Sequence, residues 1–205
     1  MLLIFCKYLL IYSLLGITFN YFNPCEIKRK FKYASYYLTI FHQGIILPYY
    51  YLNIDANSKS IQIQETMFLS TISYFLVDLF INKNQIFKNI KFLAHHLLSI
   101  ILLNFAIFNF DLSKYYVIGI LFYLEFGSLW ISITDLFPSR INYKLRFFFY
   151  LWSRIFILKL LTILIYNNYL ILDFRLFLIH SFISFFLYFH NCIIAYYLYK
   201  KIFHL

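Results

Sequence analysis

Seven long apolar stretches govern what this chain can fold into. They run approximately over Leu2–Phe22, Phe31–Leu52, Ile61–Ile81, Phe92–Phe110, Lys114–Phe137, Leu145–Tyr166 and Arg175–Tyr199, and short polar linkers separate them. Each is close to the ~20 residues that a helix needs to cross ~30 Å of hydrocarbon. Open strands are excluded there, because lipid offers their backbone groups no partners. Composition agrees: of 205 residues, 63% are hydrophobic and 13% charged, where an ordinary soluble domain carries about 25% charged residues.

The charges are not evenly spread. One set of linkers holds Lys28, Arg29, Lys30 and Lys32, then Lys83, Lys88 and Lys91, then Arg140, Lys144 and Arg146, then Lys200 and Lys201. The alternate set holds only Lys59, Lys114 and Arg175. The positive-inside rule makes the first set cytosolic, with a lumenal N-terminus and a cytosolic C-terminus. The net charge of +10 thus reads as topology and contact with anionic lipid, and nucleic acid is not an expected partner. The first stretch lacks a basic leader and a small-residue cleavage site, so an uncleaved helix is expected. Cys6, Cys25 and Cys192 form no CxxC pair or disulfide framework.

Ionisable groups inside a span are expensive and usually face protein or water. Helical spacing puts several on shared faces: Ser35, Thr39 and His42; Thr71, Tyr74 and Asp78; Glu125, Ser128, Ser132 and Asp135; His180, Ser184 and Asn191. Pro48 removes the amide that would bond the Gly44 carbonyl. Asp78 and the adjacent His95 and His96 lie at similar depth, a few residues from the cytosolic boundary, whereas His42, Glu125, Arg154 and His190 lie roughly 15 Å in from that side. The expected fold is therefore all-α: a polytopic bundle of about seven transmembrane helices around a polar-lined cavity.

The chemistry narrows by residue type. Histidine boxes of a membrane di-iron enzyme are missing, and the six histidines have no metal-ligand spacing, so no metal is expected. There is no GxSxG elbow and no Gly-rich phosphate loop. What remains is imidazole as base or transient nucleophile with a carboxylate to orient it. Acyl transfer suits that pair, with acyl-CoA as co-substrate and no bound cofactor.

The segments SYFLVDLF (Ser73–Phe80), FLAHHLLSI (Phe92–Ile100) and LEFGS (Leu124–Ser128), in that order, resemble the TLC domain, named for the TRAM, Lag and CLN proteins. YYLTIFH (Tyr36–His42) resembles that family's histidine-bearing helix, and Arg154 matches its basic residue in a later span. The resemblance covers about residues 30–200. The chain is thus expected to divide into a first transmembrane helix and basic linker over 1–30, a TLC-like membrane domain over 31–200 and a short cytosolic tail over 201–205. The resemblance also implies an endoplasmic reticulum or related membrane, a central cavity and a role in lipid homeostasis. Ceramide synthases of this family need the paired histidines that correspond to His95 and His96. Their HD…D element is missing from GILFYLEFGSLWISITDLF (Gly119–Phe137), and Glu125 with Ser128 is similar to the small TLC domain-containing proteins instead.

The expected site therefore combines His95, His96 and Asp78 as catalytic groups with His42, Glu125, Ser128, Arg154, His190 and Asn191 around the substrate. Membrane lipids are the expected partners. The alternatives are a non-catalytic lipid-binding regulator and a cargo or translocation factor.

Overall fold

Apolar sequence with few glycines and prolines folds here into helices. The computed structural model describes residues 1–22, 27–54, 59–83, 90–109 and 114–171, and residues 178, 181–182, 185–186, 188–189, 192–193, 196–197 and 199–200. The helices are α1 (Leu2–Phe22), α2 (Ile27–Phe41), α3 (Leu47–Leu52), α4 (Lys59–Ile81), α5 (Ile90–Asn109), α6 (Lys114–Leu136) and α7 (Arg140–Ile171). A single π turn, His42–Ile46, joins α2 to α3. The described residues between 178 and 200 are helical too, and no strand occurs among the described residues. Among the described residues, two stretches are long and apolar enough to cross a membrane: Leu2–Phe22 and, within the expected span Lys114–Phe137, Ile118–Leu136. Helices α4 and α7 mix polar and charged residues into their length, with Gln62, Gln64 and Glu65 in α4 and Arg146, Arg154 and Lys159 in α7.

The chain divides into two compact units, Met1–Ile107 and Phe108–Leu205. In the first, α4 is the enclosed element: Met67, Phe68, Ser70, Thr71, Ile72, Ser73, Tyr74, Phe75, Val77 and Asp78 are all buried. Its hydroxyls are satisfied by its own turns, with Ser70 and Thr71 donating to the Met67 carbonyl and Ser73 to that of Leu69, each at 2.8 Å. Helix α1 buries Tyr8, Tyr12 and Gly16, a stripe at four-residue spacing. It turns Leu3, Leu10, Leu14 and Ile17 outward. Gly16 lies against Ile81 and Val77, so its missing side chain lets α1 and α4 close. Contacts of Phe5 with Ser73, Tyr12 with Tyr74 and Gly16 with Ile81 make those two helices parallel. Contacts of Phe19 with Tyr37, Tyr12 with His42 and Tyr8 with Tyr50 make α2–α3 antiparallel to α1.

The π turn has a local cause. Pro48 has no N–H and its ring crowds the preceding turn. The ladder widens ahead of it, and the Leu47 amide donates to the His42 carbonyl, five residues back. Asn53 then closes α3, its side-chain amide donating to the Tyr49 carbonyl at 2.6 Å.

The second unit contains an α6–α7 hairpin. Asp135 meets Arg146, Trp130 stacks on Phe149, Tyr123 stacks on Phe156, and Gly119 lies against Leu160. These pairs run in opposite directions, so the helices are antiparallel. Its turn contains Pro138, and the Ser139 hydroxyl accepts the Asn142 amide at 3.1 Å, an N-cap that satisfies one orphan donor. That cap explains why α7 begins at Arg140 and not, as apolarity alone predicts, near Leu145.

Candidate functional site

In the first unit, α4 carries Asp78 at a buried position, 5% exposed. Both of its carboxylate oxygens are engaged. Ser35 of α2 donates its hydroxyl to Oδ1, and His96 of α5 donates Nε2–H to Oδ2 at 3.0 Å. Charge-assisted donors of this kind offset the desolvation that burying a carboxylate costs. Once Asp78 holds Nε2, Nδ1 is the ring atom through which His96 would take up a proton. Phe75 presents an edge-on contact to His96, with ring centroids 5.0 Å apart.

Adjacent helical residues diverge by ~100°, and the two histidines accordingly differ. His96 is buried at 6% exposure. His95 is half-buried, with its ring centroid 5.7 Å from that of His96 and nearly perpendicular to it. Ser99, one turn further along α5, is buried.

The polar face continues along α2. Thr39 spends its one hydroxyl proton on the Ser35 carbonyl at 2.8 Å. The Tyr74 hydroxyl, 2.8 Å from Thr39 Oγ1, must therefore donate to it. The His42 ring stacks on Tyr74, with centroids 4.4 Å apart and 15° between planes. His42 Nδ1 lies 2.6 Å from the Tyr12 hydroxyl. Carboxylate, hydroxyls, phenols and imidazoles of α1, α2, α4 and α5 thus form one buried run.

Tyr12 belongs to this run and was not among the residues expected from the sequence. Its signal was available: Tyr8, Tyr12 and Gly16 recur every fourth residue in a helix otherwise dominated by Leu and Ile. The Tyr8 and Tyr50 hydroxyls also hydrogen-bond to one another.

The second unit holds Glu125, Ser128 and Arg154. Glu125 and Arg154 are each 3% exposed. The Arg154 guanidinium donates to the Leu124 carbonyl at 3.2 Å, to Ser153 Oγ at 3.0 Å and to Ser128 Oγ at 3.4 Å. It also lies 4.0 Å over the Tyr150 ring. Gly127 makes room for this, because a side chain there would run into Ser153. His190 and Asn191, with His180 and Ser184, lie outside the described residues. Among the described residues, no three His, Cys, Asp or Glu side chains gather as they would to hold a metal ion.

Compared with protein families, with curated proteins and with solved structures, the chain gives no match. Its described residues are helical, with two helices long and apolar enough to cross a membrane and a buried carboxylate–imidazole pair in the first unit.

Proposed function

We propose that this chain is a multi-pass endomembrane protein of the small TLC-domain kind, acting in lipid homeostasis as an acyltransferase. The single observation that carries the catalytic part is the Asp78–His96 pair, two groups from different helices held at 3.0 Å in a buried setting. The membrane part is supported by the exterior: polar groups such as Asp78, His96 and His42 are buried in the first unit, while Leu3, Leu10, Leu14, Ile17 and Phe80 face outward. Apolar surface of that extent needs a covering, and lipid supplies it.

The chemistry follows from the pair. His96 Nδ1 takes the proton of an acceptor amine or hydroxyl as that atom attacks the thioester carbonyl of acyl-CoA. The C–S bond breaks, and the departing thiolate recovers the proton from the imidazolium. Asp78 fixes the ring and stabilises its charge, a contribution of the general-base kind worth ~10²–10⁴-fold. His95 borders the same helix face region, and His42 extends the polar lining.

Lipidomics of cells expressing the wild type and His95→Ala/His96→Ala at equal protein levels tests this. The wild type is expected to change specific acyl lipids and the double variant is not. Identical lipid profiles from both would remove the acyltransferase. A non-catalytic lipid-binding regulator would then take its place. That reading draws support from the engagement of both Asp78 oxygens, since the network also serves as a purely structural clasp. Multi-pass topology has its own test: a glycosylation tag before Met1 is expected to be modified, and one after Leu205 is not.

A further inference from the structure

Ser35 differs from other hydroxyls of these helices in where its proton goes. Thr39, Ser70, Thr71, Ser128 and Thr134 each donate to a carbonyl three or four residues back in their own helix. That local bond is the ordinary option for a helical serine or threonine. Ser35 instead leaves α2 and donates to Asp78 Oδ1 on α4. It is buried at 4% exposure, so the bond forms where water competes little.

The position of Ser35 is itself fixed. Its carbonyl accepts the Thr39 hydroxyl at 2.8 Å, and Thr39 Oγ1 lies 2.8 Å from the Tyr74 hydroxyl. Tyr74 and Asp78 are four residues apart on α4 and share a face. The seam between α2 and α4 therefore holds Ser35 opposite the carboxylate.

The consequence falls on the His96 ring. The terminal torsion of an aspartate is broad and roughly two-fold, so a single hydrogen bond leaves the carboxylate plane free to swing. His96 Nε2 supplies one bond, at Oδ2. The bond from Ser35 at Oδ1 comes from a different helix and stops that rotation. Once the carboxylate plane is fixed, the direction of Nε2–H is fixed, and with it the direction of Nδ1 across the ring. Productive geometry tolerates only about 0.5 Å and 10–20°.

We propose that Ser35 is a positioning residue of the transfer step: its hydroxyl locks the Asp78 carboxylate and thereby aims His96 Nδ1 at the attacking acceptor. The assignment rests on the acyltransferase reading and adds a member from a third helix to the Asp78–His96 pair.

The test follows release of CoA thiol from palmitoyl-CoA by the purified full-length chain in detergent, with dodecylamine and dodecanol as amine and hydroxyl acceptors. Ser35→Ala removes the donor, and Ser35→Cys keeps the size of the side chain while weakening it. Both are expected to lower kcat roughly 10–100-fold at unchanged KM, because a misdirected ring leaves substrate binding in place. In the Asp78→Asn background, Ser35→Cys is expected to cause no further loss, since the group it acts through has gone. A serine that only packs α2 against α4 would lower the melting temperature in both backgrounds and leave kcat per folded molecule unchanged. Wild-type kcat in Ser35→Cys therefore overturns the assignment, as does a rise in KM alone or a full kcat loss repeated on top of Asp78→Asn. Ser35→Cys serves where Ser35→Ala does not fold. A wild type that releases no thiol overturns acyl transfer and the role of Ser35 with it, whereas wild-type turnover that Ser35→Cys equals overturns Ser35 alone.

Discussion

The buried polar groups of the two units are held in opposite ways. Asp78 is gripped from two other helices, α2 and α5, and each of its oxygens faces a side-chain donor. Arg154 reaches a carbonyl and two hydroxyls within its own α6–α7 hairpin. The first arrangement orients a titratable ring against a carboxylate, which is what proton transfer requires. The second ties two neighbouring helices together through the planar fork of donors on a guanidinium. Burial alone, equally deep in both, does not distinguish a reaction centre from a brace. The partners do.

Asp78→Asn gives the largest expected effect. It preserves shape and removes the charge, so the proposed transfer is expected to fall ~10²–10⁴-fold in purified protein that still binds acyl lipid. Turnover of acyl-CoA by folded Asp78→Asn at the wild-type rate would put the first unit in the same category as the second. Next comes Gly127→Leu. A side chain at 127 meets Ser153, whose hydroxyl is already bonded to the Tyr150 carbonyl at 2.8 Å, so the hairpin must part. Overpacking of this kind costs about 1–3 kcal/mol or more, readable as a lower melting temperature in detergent. Arg154→Met is milder. Ser128 still donates to the Leu124 carbonyl and Ser153 to that of Tyr150, so these two carbonyls keep a donor. A loss of about 1–2 kcal/mol with unchanged turnover is expected. A fall in turnover matching that of Asp78→Asn would show instead that Arg154 and Asp78 serve one reaction.

The two regions also differ in how far they could be read from sequence. Helix positions were legible in both, because apolar runs of membrane length have few other solutions; the expected span Leu2–Phe22 coincides with α1. Faces were legible where i, i+3 and i+4 spacing lines up polar residues, as for Ser35, Thr39 and His42. Neighbours were not. Nothing local in α1 says that Tyr12 will meet His42, since that depends on which helix packs beside which. Periodicity gives adjacent His95 and His96 different directions but cannot say which one points at Asp78; packing against Phe75 and α4 decides it. The π turn was legible only as a fault, through Pro48, because the sequence shows which amide is lost but not how the backbone redistributes the deficit. Arg154 was legible as a costly group, whereas its use of the Leu124 carbonyl depends on the close approach that Gly127 allows.

Ser139→Ala is the smallest effect and bears on the turn of the brace. Ser139 Oγ accepts the Asn142 amide, and the Asn142 side chain donates to the Phe137 carbonyl at 2.7 Å. Thr134 adds a hydroxyl contact to the Asn142 carbonyl at 3.2 Å. Losing the cap orphans one exposed amide that water can reach, so the cost is expected near the usual ~1 kcal/mol for an N-cap. Ser139→Asp retains the acceptor and adds favourable charge at the helix N-terminus, so it is expected to hold the wild-type melting temperature. Both variants should keep full turnover. A drop of several kcal/mol in Ser139→Ala, unrelieved in Ser139→Asp, would mean that the turn is held by the serine's packing and not by its cap. The hairpin would then depend on its tip as much as on the Gly127–Ser153 contact.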